Sequence, residues 1–345
     1  MTPAIVIFIL DKLGLEQSIC LTEKSSIIKN LIKNKIITFN PMIHIGLCTD
    51  NRYAMACGVC VTSLFENNKN EIITVYVLEK GLTDDNKKKF HTLAADYGQK
   101  IELIPVDDCL FKGYPTTHQF RLSIYYRFLF ASILPNDVHK LIYLDCDTLV
   151  LDSLRELWNT DVTDYSIAAV EDQQGDNVHI FNRLQEIEKY YNSGVLIINL
   201  ERWREDDSMR HLMQLMESNA NRFVFLDQDA INVLFRDSTL ELSYRYNVQN
   251  MFYMKNKEIT LHWRKWERIA QAKEHPVILH FCSSLKPWQE ECQHPRRELF
   301  LDYFNHSPWM GQRLGSCLDG RSMKYKIFYY LVHKHILPGY IEEYE

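Results

Sequence analysis

Apolar runs of strand length recur along the chain, separated by stretches in which apolar residues return every three or four positions. The strand-like runs are "MIHIGLC" (42–48), "EIITVYVL" (71–78), "KIELIPV" (100–106), "KLIYLD" (140–145), "YSIAAV" (165–170), "GVLIINL" (194–200) and "PVILHF" (276–281). Helical patterns fall at about 54–66, 84–97, 119–133 and 208–219. This alternation predicts an α/β sheet that is mostly parallel at its start. Ligands of such sheets collect beyond the carboxyl ends of the strands. The first strand runs into "CTDNRY" and the fourth into "DCD", so both polar clusters belong at one rim.

Composition narrows the class. With 345 residues, 46% of them hydrophobic, the chain can bury a large core without staples. A net charge of -6 argues against a nucleic-acid partner, which would call for a basic surplus. Nine scattered cysteines fit reduced thiols in the cytosol, and Cys57-Gly58-Val59-Cys60 reads as helix packing, since no second pair completes a zinc site. The opening "MTPAIVIFIL" is too short to span a bilayer and lacks a cleavage pattern, so the expected location is cytoplasmic. Residues 1–40 read as an extension, 41–290 as the main domain and 291–345 as an aromatic and basic tail.

The segment "KLIYLDCDTLVLDSL" sets two carboxylates one residue apart at the end of an apolar strand. In extended backbone Asp145 and Asp147 share a face while Cys146 points away, an arrangement that suits a divalent cation. Asp152 reads as a cap for the next helix. Further on, "LHFCSSLKPW" (279–288) places His280 at a strand end and Lys286 six residues later. Taken with "YLDCD", "YYNSGVLIINL" (190–200) and "FLDQDAIN" (225–232), these segments resemble the retaining glycosyltransferases of family 8, above all its bacterial lipopolysaccharide glucosyl- and galactosyltransferases.

The resemblance implies a GT-A-type nucleotide-sugar-binding fold with a mixed, mostly parallel sheet and a helical C-terminal tail. Asp145, Asp147 and His280 would hold Mn²⁺, or Mg²⁺ in its place, against the diphosphate of a UDP-sugar. Lys286 would add a cation to the departing phosphate, and Ser283 stands where the family usually has glycine. Cys48, Thr49, Asp50 and Asn51 would line the nucleotide pocket with Cys146 beside them, and Tyr53 would stack on the uracil. The same loop could instead simply cap the helix that starts near Ala54. Arg127 would reach the donor sugar or phosphate, or serve only in an ion pair. Asn192, Ser193, Asp227 and either Glu171 or Asp172 would hold the sugar, with Gln228 beneath its anomeric carbon.

The implied activity is retaining transfer of a hexose from UDP-glucose or UDP-galactose to a saccharide, foremost a lipid-linked lipopolysaccharide core oligosaccharide. Protein-linked or other cytosolic glycans are the alternative acceptors. A catalytically silent nucleotide-sugar-binding protein is the alternative from another class. The tail stretch "RSMKYKIFYYLVHKHIL" (321–337) joins basic and aromatic residues with no acidic one. It fits either a peripheral contact with the cytoplasmic face of the inner membrane or a packed helix.

Overall fold

A computed structural model describes residues 42–116, 121–219, 221–255, 262–338 and 341–344; the expected extension over 1–40 lies outside them. In chain order the strands are β1 (Ile43–Asp50), β2 (Ile73–Lys80), β3 (Lys100–Pro105), β4 (Lys140–Leu144), β5 (Thr148–Val150), β6 (Ile167–Glu171), β7 (Tyr191–Asn199), β8 (Thr239–Glu241), β9 (Val248–Gln249) and β10 (Ile278–His280). Seven of them form one sheet in the order β3-β2-β1-β4-β7-β6-β8. The pairs β1–β2, β2–β3, β1–β4 and β6–β8 are parallel, and β7 runs antiparallel to both β4 and β6. The sheet is therefore mixed and mostly parallel: its first strands are parallel, as the alternation of runs predicts, and the mixed arrangement is the one the resemblance implies.

Strand β1 turns one way to β2 and has β4 on its other side, which makes their carboxyl ends a topological switch point. Helices cover both faces, and the strands are accordingly buried on both: β6 and β7 have no exposed position. A small second sheet, β5-β10-β9, crosses the rim. Its register pairs His280 with Thr148, which carries the end of β10 to the residue that follows Asp147.

Helices Ala54–Asn67, Asp84–Tyr97 and Ser208–Asn219 lie where the periodicity puts them. The second is capped by the Thr83 side chain on Asn86 N and ends at Gly98, whose φ of +59° glycine adopts freely. The stretch 119–133 differs. Leu122–Leu129 winds as a 3₁₀ helix and only Phe130–Ile133 is α-helical. Its side chains from Tyr125 to Ala131 are buried in succession, which a one-sided amphipathic helix does not allow.

Residues after 290 contribute to the same unit, which runs from residue 43 onward. Helix Arg297–Asn305 buries Phe300 and Phe304, and the following Trp309 is 1% exposed. Trp309 lies on Gly58, where an added Cβ would come within 2.0 Å of its ring. The "CGVC" stretch is thus a packing surface, as its sequence suggests, and helix Ala54–Asn67 is buried without a break from Ala54 to Phe65. Helix Met323–His333 follows, with Val332 its one buried residue.

Candidate active site

Three strand ends converge at the rim. Asp145 and Asp147 follow β4, His280 closes β10, and Asn192-Ser193-Gly194 lie in β7. One oxygen or nitrogen from each of Asp145, Asp147 and His280 lies within 4.8 Å of the others. His280 Nε2 stands 3.3 Å from Asp147 Oδ1 and 3.9 Å from Asp145 Oδ2. A Cβ on Gly194 would meet His280 Cε1 at 2.2 Å and Asp145 Oδ2 at 2.8 Å, so only glycine lets β7 lie against this group.

The surroundings aim these atoms. Asp145 Oδ1 accepts from the Tyr143 hydroxyl at 2.6 Å and from Arg127 Nη2 at 2.9 Å, which leaves Oδ2 toward His280. Asn247 Nδ2 donates to Asn192 Oδ1, so its own Oδ1, 3.0 Å from His280 Nδ1, accepts. That places the His280 proton on Nδ1 and the lone pair on Nε2, toward the carboxylates. Two carboxylates and an imidazole nitrogen facing one point are a fitting donor set for a divalent cation.

Lys286 Nζ donates to Asp147 Oδ2 at 2.6 Å and to the Phe281 carbonyl at 2.9 Å. Burial works against both charges. The pairing outweighs it, raising the Lys286 pKa and, with His280, holding the Asp147 carboxyl well below its usual range. Arg127 behaves alike: burial opposes its charge, but Asp145 and Asp227 outweigh burial and raise it. Its Nη1 donates to the Ser193 carbonyl and hydroxyl at 2.8 and 3.1 Å, and its guanidinium lies 4.4 Å from the Tyr143 ring centre.

Beyond this charged group lies an amide network. Gln228 Oε1 accepts from Ser193 N at 3.0 Å and Nε2 donates to Asp172 Oδ2 at 3.1 Å; Asn192 Nδ2 reaches the same Asp172 oxygen at 2.9 Å. Burial raises the Asp172 pKa against these donors. Asp227 is 4% exposed, and its Oδ2 lies 3.1 Å from Arg127 Nε. The Nε proton goes to the Ile124 carbonyl instead, so this oxygen accepts no hydrogen bond. Burial pushes the Asp227 pKa to about 7, with Arg127 opposing and Asp145 reinforcing. Leu226, just before it, has φ of +40°, a strained value for leucine at the residue that aims Asp227 and Gln228.

Other expected residues divide. Asp50 Oδ1 accepts from Arg52 N and Tyr53 N, forming the turn before the first helix, and Asn51 Oδ1 accepts from Thr83 N and Asn86 Nδ2. Thr49 is buried, and the Cys48 carbonyl accepts from Cys146 Sγ at 3.2 Å. Tyr53 packs edge-on against Trp288 at 5.4 Å, and burial raises its hydroxyl pKa, with Lys286 opposing and Asp147 reinforcing. Of the pair Glu171 and Asp172, the second faces Gln228, while Glu171 is taken by Tyr244 and Lys265. Asp229, two residues beyond Asp227, is taken up by Tyr190, Arg183 and two backbone amides. The sequence reading missed Tyr143 and Asn247. Tyr143 had a signal, since it shares the strand face of Asp145, whereas Asn247 sits in no motif.

The chain is similar to known proteins over most of its length. General stress protein A of Bacillus subtilis (strain 168) is 32% identical over 274 residues, covering 78% of this chain and 95% of that protein. The lipopolysaccharide glucosyltransferase WaaO of Escherichia coli (strain K12) is 25% identical over 315 residues, covering 89% and 91%. Among solved structures, galactosyltransferase LgtC in complex with donor and acceptor sugar analogs superposes with a TM-score of 0.69 at 26% identity, over 78% of this chain and 98% of that one. The family model of glycosyl transferase family 8 matches residues 44–292, and the chain belongs to that family.

Proposed function

We propose that the protein transfers glucose or galactose from a UDP-sugar, with retention of anomeric configuration, to a saccharide acceptor that is the oligosaccharide core of a lipopolysaccharide. The observation that carries this reading is the convergence of Asp145, Asp147 and His280 beside Lys286 and the Gln228–Asp172 network. Similarity to lipopolysaccharide glucosyl- and galactosyltransferases of Escherichia coli and Salmonella typhimurium supports the acceptor class. Mn²⁺ held by Asp145, Asp147 and His280 would supply positive charge against the diphosphate.

The chain's own groups have distinct roles in this reading. Lys286 bonds the leaving phosphate and Arg127 neutralises Asp145 and Asp227. Tyr53 and the loop Cys48–Asn51 bind the nucleotide; Asn192, Ser193, Asp227 and Asp172 hold the sugar. Gln228 is fixed at both ends of its amide and presents a dipole to the charge that develops at C1. The C1–phosphate bond breaks with its electron pair going to UDP, the acceptor oxygen bonds C1 from the same face, and its proton passes to the leaving phosphate. An amide is a poor nucleophile, so this reading has no covalent intermediate on Gln228, and the two-carboxylate scheme of glycosidases does not transfer.

Incubation with UDP-glucose and UDP-galactose, with UDP release followed, tests the donor; release from neither sugar contradicts the reading. Gln228→Ala should slow turnover by about 10²-fold with little change in fold, the usual cost of one electrostatic stabiliser. Wild-type kcat in that variant would remove Gln228 from the reaction.

No helix among the described residues is long and apolar enough to cross a membrane. Helix Met323–His333 nonetheless exposes Met323, Ile327, Phe328 and Tyr330, and Arg321, Lys324, Lys326 and Lys334 flank them. We infer that this helix lies on an anionic membrane surface, each basic residue contributing about 1 kcal/mol near it. Lys324→Glu with Lys326→Glu should lower sedimentation with anionic vesicles at low salt and leave the soluble-acceptor rate unchanged. Equal sedimentation of variant and wild type would exclude the contact.

A further inference from the structure

Ser283, the residue that replaces the usual glycine of the resemblance, has a partner that no motif announces. Its hydroxyl donates to Glu342 Oε1, 59 positions later, and Ser284 Oγ lies 3.4 Å from the same oxygen. Glu342 is 8% exposed, and its Oε2 accepts from the Tyr344 hydroxyl at 2.6 Å. Tyr344 is itself anchored. It forms an antiparallel bridge with Met254, accepts from Asn250 Nδ2 at 3.2 Å and packs its ring 5.2 Å from that of His294. Lys255 N adds a bond to the Glu343 carbonyl. Residues 341–344 are thus a clip with a defined seat.

The seat is the loop between His280 and Lys286. Among the described residues, the backbone N–H groups of Ser283, Ser284 and Leu285 donate to no protein atom. The loop therefore spends its hydroxyls on Glu342, keeps amides without a protein acceptor, and ends at Lys286, whose ammonium holds Asp147. Successive free amides beside a cation make a receptor for phosphate oxygens.

We propose that Glu342 is a positioning residue for the donor diphosphate, fixing loop 282–285 through Ser283 and Ser284 so that its amides and Lys286 meet the phosphates. The inference rests on the UDP-sugar reading above. It has a definite sign. A carboxylate facing the phosphates would repel them, and its removal would tighten binding; one that braces the loop from its hydroxyl side strengthens binding, and its removal weakens it.

Calorimetric titration of the full chain with UDP and Mn²⁺, paired with kcat and KM for the UDP-sugar, distinguishes these cases. Glu342→Ala should weaken UDP binding and raise KM about tenfold, as expected for losing hydrogen bonds to a charged acceptor, with kcat within about threefold. Glu342→Gln keeps an oxygen for the same hydroxyls and should stay within about threefold of wild type in UDP affinity. In a Ser283→Ala, Ser284→Ala background, Glu342→Ala should cost less than about twofold more. Unchanged or tighter UDP binding by Glu342→Ala overturns the proposal, as does an equal loss in the serine-free background, which would leave the clip a purely structural role. Failure of the wild-type protein to bind UDP would overturn the donor reading and this inference with it.

Discussion

Asp147→Asn should abolish sugar transfer, by about 10³-fold or more, in a protein that still folds. The substitution keeps the side-chain shape and removes a charge that two groups use. Asp147 Oδ1 faces His280 Nε2 at 3.3 Å, and Oδ2 accepts from Lys286 at 2.6 Å. Loss of the first contact weakens any cation held there; loss of the second frees the lysine from its place at the phosphate end. Stability changes less, because a neutral amide also relieves repulsion from Asp145, and Lys286 keeps its bond to the Phe281 carbonyl. Circular dichroism and UDP release in Mn²⁺ check both halves. Wild type in chelator should match the variant and recover on adding Mn²⁺, while the variant should not recover. Full turnover by the variant in chelator would remove the metal from the account.

Gly58→Ala should be among the most destabilising single changes in the chain, at about 3 kcal/mol or more. The new methyl would sit 2.0 Å from Trp309 Cζ3 and 2.5 Å from two neighbouring ring atoms. The indole cannot retreat, because its Nε1 donates to Asn86 Oδ1 at 2.8 Å and it packs on Phe90 with ring centres 4.9 Å apart. A urea melt measures the loss. Trp309→Leu in the same chain should recover part of it, since a smaller side chain makes room for the methyl. A melt of Gly58→Ala that overlays wild type would show that Trp309 does not pack against this helix.

What could be read from the sequence follows from how local each signal is. Strands β1, β2, β4 and β7 are apolar runs, and their alternation with helical patterns announces a sheet that is parallel at its start with a polar rim, while the antiparallel placing of β7 rests on pairings that no local pattern reports. The metal-ligand candidates are likewise local, two in one tripeptide and the third at the end of a run. Tyr143 obeys the same period of two as Asp145 and was visible in principle. Asn247 was not, because its role comes from a hydrogen bond to His280, 33 positions away. Glu342 is less visible still: its partners are the hydroxyls of a loop 59 positions earlier. The 3₁₀ winding of Leu122–Leu129, buried from Tyr125 onward, is a difference from α-helix that apolar periodicity alone does not report.

The central claim is that this rim transfers a hexose from a UDP-sugar to its acceptor on one face of the sugar. Proton NMR of the product made from an α-linked UDP-hexose, Mn²⁺ and a saccharide acceptor tests it most directly. A new α-glycosidic anomeric signal should appear as UDP is released and be missing with Asp147→Asn. A new β-glycosidic signal would contradict it.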